Sequence, residues 1–213
     1  MLRAREVVAG YDRGRAVLDG VDVVVPPGAV RGLAGPSGCG KSTLARVLAL
    51  LQRPWSGTVE LDGRPVRGAR YSVPAELRTA VGIVFQQPRP AVDPRMTLRQ
   101  VVSEPLRARG VRRPWRRVGE LAELTGLNDE LLDRMPHEVS DGQLQRACLA
   151  RAVAPRPRYL VCDEMTGMLD ASTTAALVRV VRELVDDEGT GVLAISHDES
   201  LLLAWAGDDV IRW

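Results

Sequence analysis

The 213-residue chain has one lysine, two histidines, one phenylalanine and three cysteines. Apolar residues make up 45% of it, enough for a proper core. Yet no apolar run approaches the roughly 18 residues needed to cross a bilayer; the longest, such as 21–25, have strand length. No charged-then-apolar leader opens the chain, so no secretory signal is expected and a cytoplasmic protein is. Cys39, Cys148 and Cys162 show neither CxxC nor metal-ligand spacing, and an odd, scattered set fits a reducing compartment. A net charge of only +2 argues against an overall electrostatic commitment to nucleic acid. There is no internal repeat or low-complexity tract. The length suits one domain, or one domain with a small insert.

The scarcity of lysine is informative. Of 29 basic residues, Lys41 is the one lysine and the other 28 are arginine. Arginine is a broad planar fork, whereas lysine is a compact charge on a flexible stem. A lone lysine marks a place where the fork does not fit. Lys41 lies in Gly35-Pro36-Ser37-Gly38-Cys39-Gly40-Lys41-Ser42, a full match to G-x-x-x-x-G-K-[ST]. The glycines let successive N–H groups turn toward one anion, and the helix expected next, with Thr43 in its first turn, aims its dipole at the same point. Lys41 is expected to reach the β- and γ-phosphates of a nucleotide, and the Ser42 hydroxyl to bind Mg²⁺.

Periodicity supplies the context this loop demands. Segments 2–8, 17–25 and 29–34 read as strands, the third leading straight into the loop. Segment 40–51 reads as a helix, and 58–61 and 81–85 as strands. From about 88 to 154 the pattern is helical, over 97–109, 116–125, 131–135 and 141–153. Alternation then resumes with a strand at 159–162, a helix at 173–185, a strand at 192–195, a helix at 199–205 and a strand at 209–213. Alternating β and α predicts a mostly parallel sheet with helices on both faces.

A phosphate loop also calls for a strand that ends in a carboxylate near the metal. Tyr159-Leu160-Val161-Cys162-Asp163 supplies one, and Glu164 follows at once. Adjacent acids at the end of an apolar strand are costly to bury without a task. Asp163 suits the metal and Glu164 suits polarising an attacking water.

Four further strings follow in order: Val84-Phe85-Gln86-Gln87-Pro88; His137-Glu138-Val139-Ser140-Asp141-Gly142-Gln143-Leu144-Gln145-Arg146; Met168-Leu169-Asp170; and Ile195-Ser196-His197-Asp198. Together with the phosphate loop they resemble the nucleotide-binding subunit of ATP-binding-cassette (ABC) transporters, across essentially the whole chain. The resemblance implies an α/β fold with a P-loop NTPase (RecA-like) core, an N-terminal antiparallel β subdomain and an inserted helical subdomain. It places the core at 1–87 and 155–213 and the helical signature subdomain at 88–154. It implies ATP and Mg²⁺ as cofactors. Tyr11 corresponds to the aromatic that stacks on adenine, and Gln86 to the loop that touches Mg²⁺ or water and senses a membrane partner. Ser140, Asp141, Gly142 and Gln143 correspond to the signature that completes the site of an opposing subunit. Asp170 corresponds to the interface aspartate, and His197 to the histidine on the γ-phosphate. Implied partners are transmembrane permease subunits and a second ATPase subunit, with the chain peripheral on the inner membrane face and no nucleic acid bound.

Phe85-Gln86-Gln87-Pro88, Val92-Asp93-Pro94-Arg95-Met96-Thr97, Glu104-Pro105-Leu106 and Pro136-His137-Glu138 are similar to the peptide and nickel importer branch. Departures stand beside this. Asp141 occupies a usual glycine position, where it either weakens closure on a partner's phosphate or turns away and caps the following helix. Met165 replaces a usual proline, Gly167-Met168 a usual Ser-Ala, and the chain stops at Trp213 without the branch's C-terminal extension. Six arginines between 107 and 117 read as a solvated face, with a weak contact to anionic headgroups the other reading. Two alternatives stay open: a soluble non-transport ABC ATPase, and a nucleotide-gated regulatory subunit with weak hydrolysis.

Overall fold

A computed structural model describes residues 1–12, 14–167 and 169–213. Strands β1 (Leu2–Ala9), β2 (Leu18–Val25), β4 (Ser56–Leu61) and β5 (Arg64–Val66) form an antiparallel sheet in the order β2-β1-β4-β5. Strands β3 (Val30–Ala34), β6 (Val81–Val84), β7 (Tyr159–Asp163), β8 (Gly191–Ser196) and β9 (Val210–Arg212) form a parallel sheet in the order β6-β7-β8-β3-β9. Helices are α1 (Lys41–Leu48), α2 (Ala75–Arg78), α3 (Leu98–Ala108), α4 (Trp115–Thr125), α5 (Asp129–Leu132), α6 (Asp141–Val153), α7 (Ala171–Glu188) and α8 (Glu199–Ala206). The α/β class with its antiparallel sheet and helical insertion is as the sequence predicts.

The parallel sheet is buried on both faces, so its central strands are continuous apolar runs rather than alternating ones. All five residues of β7 and all six of β8 are buried. Side chains from the two faces feed two cores. Leu160, Cys162, Val192 and Ala194 join the core under α3, α4, α6, α7 and α8. Tyr159, Val161, Leu193 and Ile195 join the core formed with α1 and the antiparallel sheet. Helix α1 packs on both β7 and β1 and so ties the two sheets together.

A bulge sets the register of β1. Leu2, Ala4, Val7 and Ala9 are all fully buried although the step from Ala4 to Val7 breaks the period of two. Glu6, at φ 48°, absorbs the extra residue and returns the apolar side chains to the core face. The bulge presses on Gly57 of β4 (φ +80°), where a Cβ would lie 2.3 Å from the Glu6 carbonyl oxygen.

Caps account for most differences from the expected boundaries. The helix expected over 173–185 runs from Ala171 to Glu188, because Asp170 caps it and Gly189 closes it in the left-handed region. The helix expected over 131–135 is instead the single turn α5. Asn128 starts it early, its side chain accepting from the Leu131 N–H. Pro136 then holds Met135 extended, and a 3₁₀ turn spans Pro136–Glu138. Helix α1 stops at Leu48, short of the expected 51, and Leu50 sits at φ 59°. β5 and α2, of three and four residues, carry too little pattern to be seen in the sequence.

Gly57→Ala is expected to destabilise the chain by at least about 2 kcal/mol, from left-handed strain plus the close approach. Gly63→Ala, at φ +78° with open space around it, is expected to cost about 1 kcal/mol. Urea midpoints of the two variants, compared at equal m-value, check the difference.

Candidate functional site: a nucleotide cradle at the edge of the parallel sheet

In a parallel sheet every C-terminal strand end lies on one edge, where α/β folds gather their ligand groups. Here β3 ends in the glycine-rich loop, β7 in Asp163, β8 in Ser196 before His197, and β6 at Val84 before Phe85 and Gln86. Strings far apart in the sequence thereby meet.

The loop leads into α1 with Gly40 at φ 109°, where a Cβ would meet Leu18 Cδ2 at 2.8 Å. No side chain caps α1. By contrast, Thr97, Asn128, Ser140, Asp170 and Asp198 each cap their helix. The first N–H groups of α1, which no intrahelical carbonyl takes, are left for an external acceptor. Lys41 is 5% exposed, and its Nζ donates to the carbonyls of Gly35 (2.7 Å) and Pro36 (2.9 Å). A cavity of about 360 Å³ opens here, bounded by Tyr11, Val17, residues of the loop, Thr43, Gln86 and Glu164.

Glu164 is the hub. Its Oε1 lies 3.6 Å from Lys41 Nζ, and its Oε2 accepts from Gln86 Nε2 at 3.0 Å and lies 3.4 Å from His197 Nδ1. Its backbone sits at φ 48°, in the left-handed region, with its N–H donating to the Ile195 carbonyl at 3.0 Å. A glutamate held there is a strained residue fixed by its surroundings, a condition that clusters at working sites. Asp163, one residue earlier, is the last residue of β7 and meets a different partner. Its Oδ1 accepts from Ser42 Oγ at 3.2 Å. Burial pushes the Asp163 carboxyl above its usual range and neighbouring Glu164 adds to this, while the Ser42 hydrogen bond, Arg46 and Lys41 oppose it. A second cavity of about 270 Å³ adjoins this pair, bounded by Ser42, Asp163, Arg46, Gln86 and Ala91 among others.

These residues fit a Mg-nucleotide. Uncapped amides and Lys41 suit phosphate, and the paired Ser42 and Asp163 oxygens suit a hard cation. Among the described residues no cluster of three His, Cys, Asp or Glu could hold a metal. A Mg²⁺ held by the paired Ser42 and Asp163 would need further oxygens from phosphate and water, as this cation commonly does.

Tyr11 is 62% exposed at the cavity edge, its hydroxyl 3.1 Å from Thr43 Oγ1 and accepting from Arg46 Nη1 at 2.6 Å. Ser140, Asp141, Gly142 and Gln143 bound neither cavity. They open α6 through a reciprocal cap: Ser140 Oγ accepts from the Gln143 N–H (3.2 Å) and Gln143 Oε1 from the Ser140 N–H (2.9 Å). The expectation that Asp141 caps this helix is thus corrected, because Ser140 holds the cap and Asp141 follows it, paired with Arg89 at 2.7 Å. Gly142 faces Thr173 and Leu169, so this segment and Asp170 are neighbours. The Asp170 carboxylate accepts from Ser172 Oγ, Thr173 Oγ1 and the Thr173 N–H, which hold it well below the usual carboxylate range. Met168 lies outside the described residues.

Sequence reading missed three residues. Arg46 lies one helical turn beyond Ser42, so its i+4 spacing was a usable signal. Gln145, 1% exposed, donates from one amide nitrogen to the carbonyls of Phe85 (2.8 Å) and Met165 (2.9 Å), bracing the Gln86 segment against the segment after Glu164. A glutamine on the buried side of an apolar helix was its signal. Arg89 carried none.

Strand, glycine-rich loop, helix and the strand-end aspartate paired with Ser42 define a P-loop nucleotide-binding protein. Comparison narrows this further. The ABC transporter family profile matches residues 18–167, and the chain belongs to that family. The nickel import ATP-binding protein NikE of Escherichia coli O6:K15:H31 (strain 536 / UPEC) is 36% identical over 197 residues, covering 91% of this chain and 74% of the relative. A putative peptide import ATP-binding protein of Brucella abortus (strain 2308) is 40% identical over 217 residues, covering 96% and 65%. Among solved structures, a dimeric bacterial ABC transporter cassette, MJ0796, superposes with a TM-score of 0.87 at 25% identity, covering 100% of this chain and 94% of that one. A post-hydrolysis dimer of the same cassette, bound to ADP and Pi, gives 0.84 at 26% identity, covering 94% and 90%.

Lys41→Arg is expected to weaken Mg-ATP binding at least about tenfold, since the planar fork does not fit where Nζ sits against two loop carbonyls. Equilibrium binding of a fluorescent ATP analogue checks this. The thiols give a second expectation. Burial pushes Cys148 up to about 11 and pushes Cys162 up as well, with Asp163 adding to the latter, so neither forms thiolate near neutral pH. Iodoacetamide at pH 8 is expected to label Cys39, which is partly exposed, and to spare the other two until the chain is denatured; peptide mass spectrometry reads the sites.

Proposed function

We propose that this chain is the ATP-hydrolysing subunit that energises an importer, with peptides or nickel as cargo. The observation that carries the catalytic part is the setting of Glu164 among Lys41, Gln86 and His197 at the end of β7. The cargo rests on relatives described as nickel and peptide import ATP-binding proteins. Among the described residues no helix is long and apolar enough to cross a membrane. Separate permease subunits are therefore the proposed route, met through the segment 86–96, with the chain peripheral on the inner membrane face.

Phosphoryl transfer needs positioning and charge neutralisation more than covalent help. Lys41 and the α1 amides hold the β- and γ-phosphates. Ser42 and Asp163 hold Mg²⁺, which when bound neutralises phosphate charge. Tyr11 offers a π-face to adenine. Glu164 accepts the proton of the attacking water as its oxygen bonds to the γ-phosphorus and the bond to ADP breaks. Gln86 and His197 fix the Glu164 carboxylate and line the water's approach. Residues 88–154 act as the unit that carries the signature. Ser140, Gly142 and Gln143 at the start of α6 meet the nucleotide of a second cassette, with Asp170 beside them at the same interface. ATP then joins two surfaces that part after hydrolysis, a stroke driven by differential affinity for the closed and open states.

Turnover by the purified chain is expected to fall by about 10²-fold or more in Glu164→Gln, the range for losing a general base. Phosphate release measures it, and unchanged turnover removes Glu164 from the chemistry. Light scattering is expected to show the Glu164→Gln chain held as a dimer in ATP and monomeric in ADP.

A further inference from the structure

Asp141 puts a carboxylate in the first turn of α6, on the face assigned above to the nucleotide of a second cassette. A lone carboxylate there opposes a γ-phosphate. Asp141 is not alone. Arg89 Nη2 lies 2.7 Å from Asp141 Oδ1. The same guanidinium donates from Nη1 to the Pro136 carbonyl at 2.8 Å and from Nη2 to the Val139 carbonyl at 3.1 Å. Two main-chain acceptors thus fix the planar fork before it meets the carboxylate, so the ion pair costs little extra ordering. An ordinary exposed pair lacks that advantage and contributes little. The turn that bears Arg89 is itself seated on α6, since Arg151 Nη1 donates to the Ala91 carbonyl at 2.6 Å.

We propose that Arg89 is a positioning residue that neutralises Asp141 and keeps the start of α6 receptive to the γ-phosphate of a nucleotide held by a second cassette. This rests on the reading of 140–143 as the contact to that nucleotide. Asp141 is turned onto Arg89, and the N–H groups of Asp141 and Gly142, which the Ser140 cap leaves untaken, remain the feature the phosphate meets. Arg89 lies three residues beyond Gln86, so the same guanidinium joins the Gln86 segment to the signature. Movement of one carries the charge balance of the other with it. Deleting Arg89 leaves a bare carboxylate at the interface; deleting both charges leaves none.

The test uses the full chain with Glu164→Gln, following ATP-driven self-association by light scattering and ATP binding by each single chain. Arg89→Ala is expected to raise the protein concentration needed for association at least about tenfold while ATP binding by the single chain holds. The defect is expected to shrink as salt rises, because screening relieves repulsion. Adding Asp141→Gly is expected to abolish the defect. Arg89→Lys is expected to recover association only in part, keeping the charge but not the fork. An Arg89→Ala chain that associates like its parent overturns the proposal. So does a defect that persists, insensitive to salt, beside Asp141→Gly, since that makes Arg89 a mere strut for the two carbonyls. Association by Asp141→Gly alone, with none by the parent, shows the carboxylate to be unneutralised and also overturns it. If neither associates, the self-paired reading itself fails and the proposal falls with it.

Discussion

The Glu164 carboxylate is the point at which four strands' worth of chain become one site. It receives Lys41 from the loop after β3, Gln86 from the end of β6 and His197 from the end of β8, while the preceding Asp163, the last residue of β7, meets Ser42. None of these contacts is local in sequence. They exist because β7 is buried along its whole length and the sheet is parallel, so that neighbouring strands deliver their C-terminal ends to one edge. A shift of β7 by one residue would put Glu164 where Asp163 sits, or Asp163 where Glu164 sits. The apolar alternation that sends Leu160 and Cys162 to one core and Tyr159 and Val161 to the other holds it against that slip.

Burial and catalysis pull against one another in this arrangement. Asp163 is raised by the same burial that fixes it, and only the Ser42 hydroxyl and two nearby cations offset this within the chain. A divalent cation bound there would complete the balance. Glu164 sits in a backbone region that glutamate rarely adopts, held by a main-chain hydrogen bond to β8. Gln145 braces the loops on either side of it from within the α6 core. The helical insertion thus supports the site.

Much of this was legible in the sequence, for a physical reason. A phosphate loop needs glycines, one compact cation and a hydroxyl in fixed order along one stretch of chain, so the string from Gly35 to Ser42 announces itself. The carboxylate strand, the glutamine after β6 and the histidine after β8 are strings of the same kind. What stayed hidden depends on distant partners. Arg46 meets Tyr11 across 35 positions, and Arg89 meets Val139 across 50. Aspartate favours the cap position, which made capping one reading of Asp141, but Ser140 with Gln143 three residues on forms the stronger reciprocal pattern. Elements of three or four residues, such as β5 and α2, carry too few periods to be read at all. The left-handed backbone at Glu6 and Glu164 is imposed by the fold and leaves no trace in composition.

The position of β3 in the sheet has a consequence for biosynthesis. The strand that presents the phosphate loop lies at Val30–Ala34, yet its partners, far later in the chain, are β8 on one side and β9 on the other. Neither exists until residues beyond 190 are being translated. The antiparallel strands β1, β2, β4 and β5 lie early in the chain and pair among themselves, so they have partners long before then. At a few to some twenty residues per second, the glycine-rich loop waits on the order of ten seconds or more beside an unfinished sheet. During that time β3 is an apolar strand with both edges unpaired, open to wrong pairing or to a chaperone. The phosphate loop of the nucleotide cradle is thus made well before the sheet that holds it can be assembled.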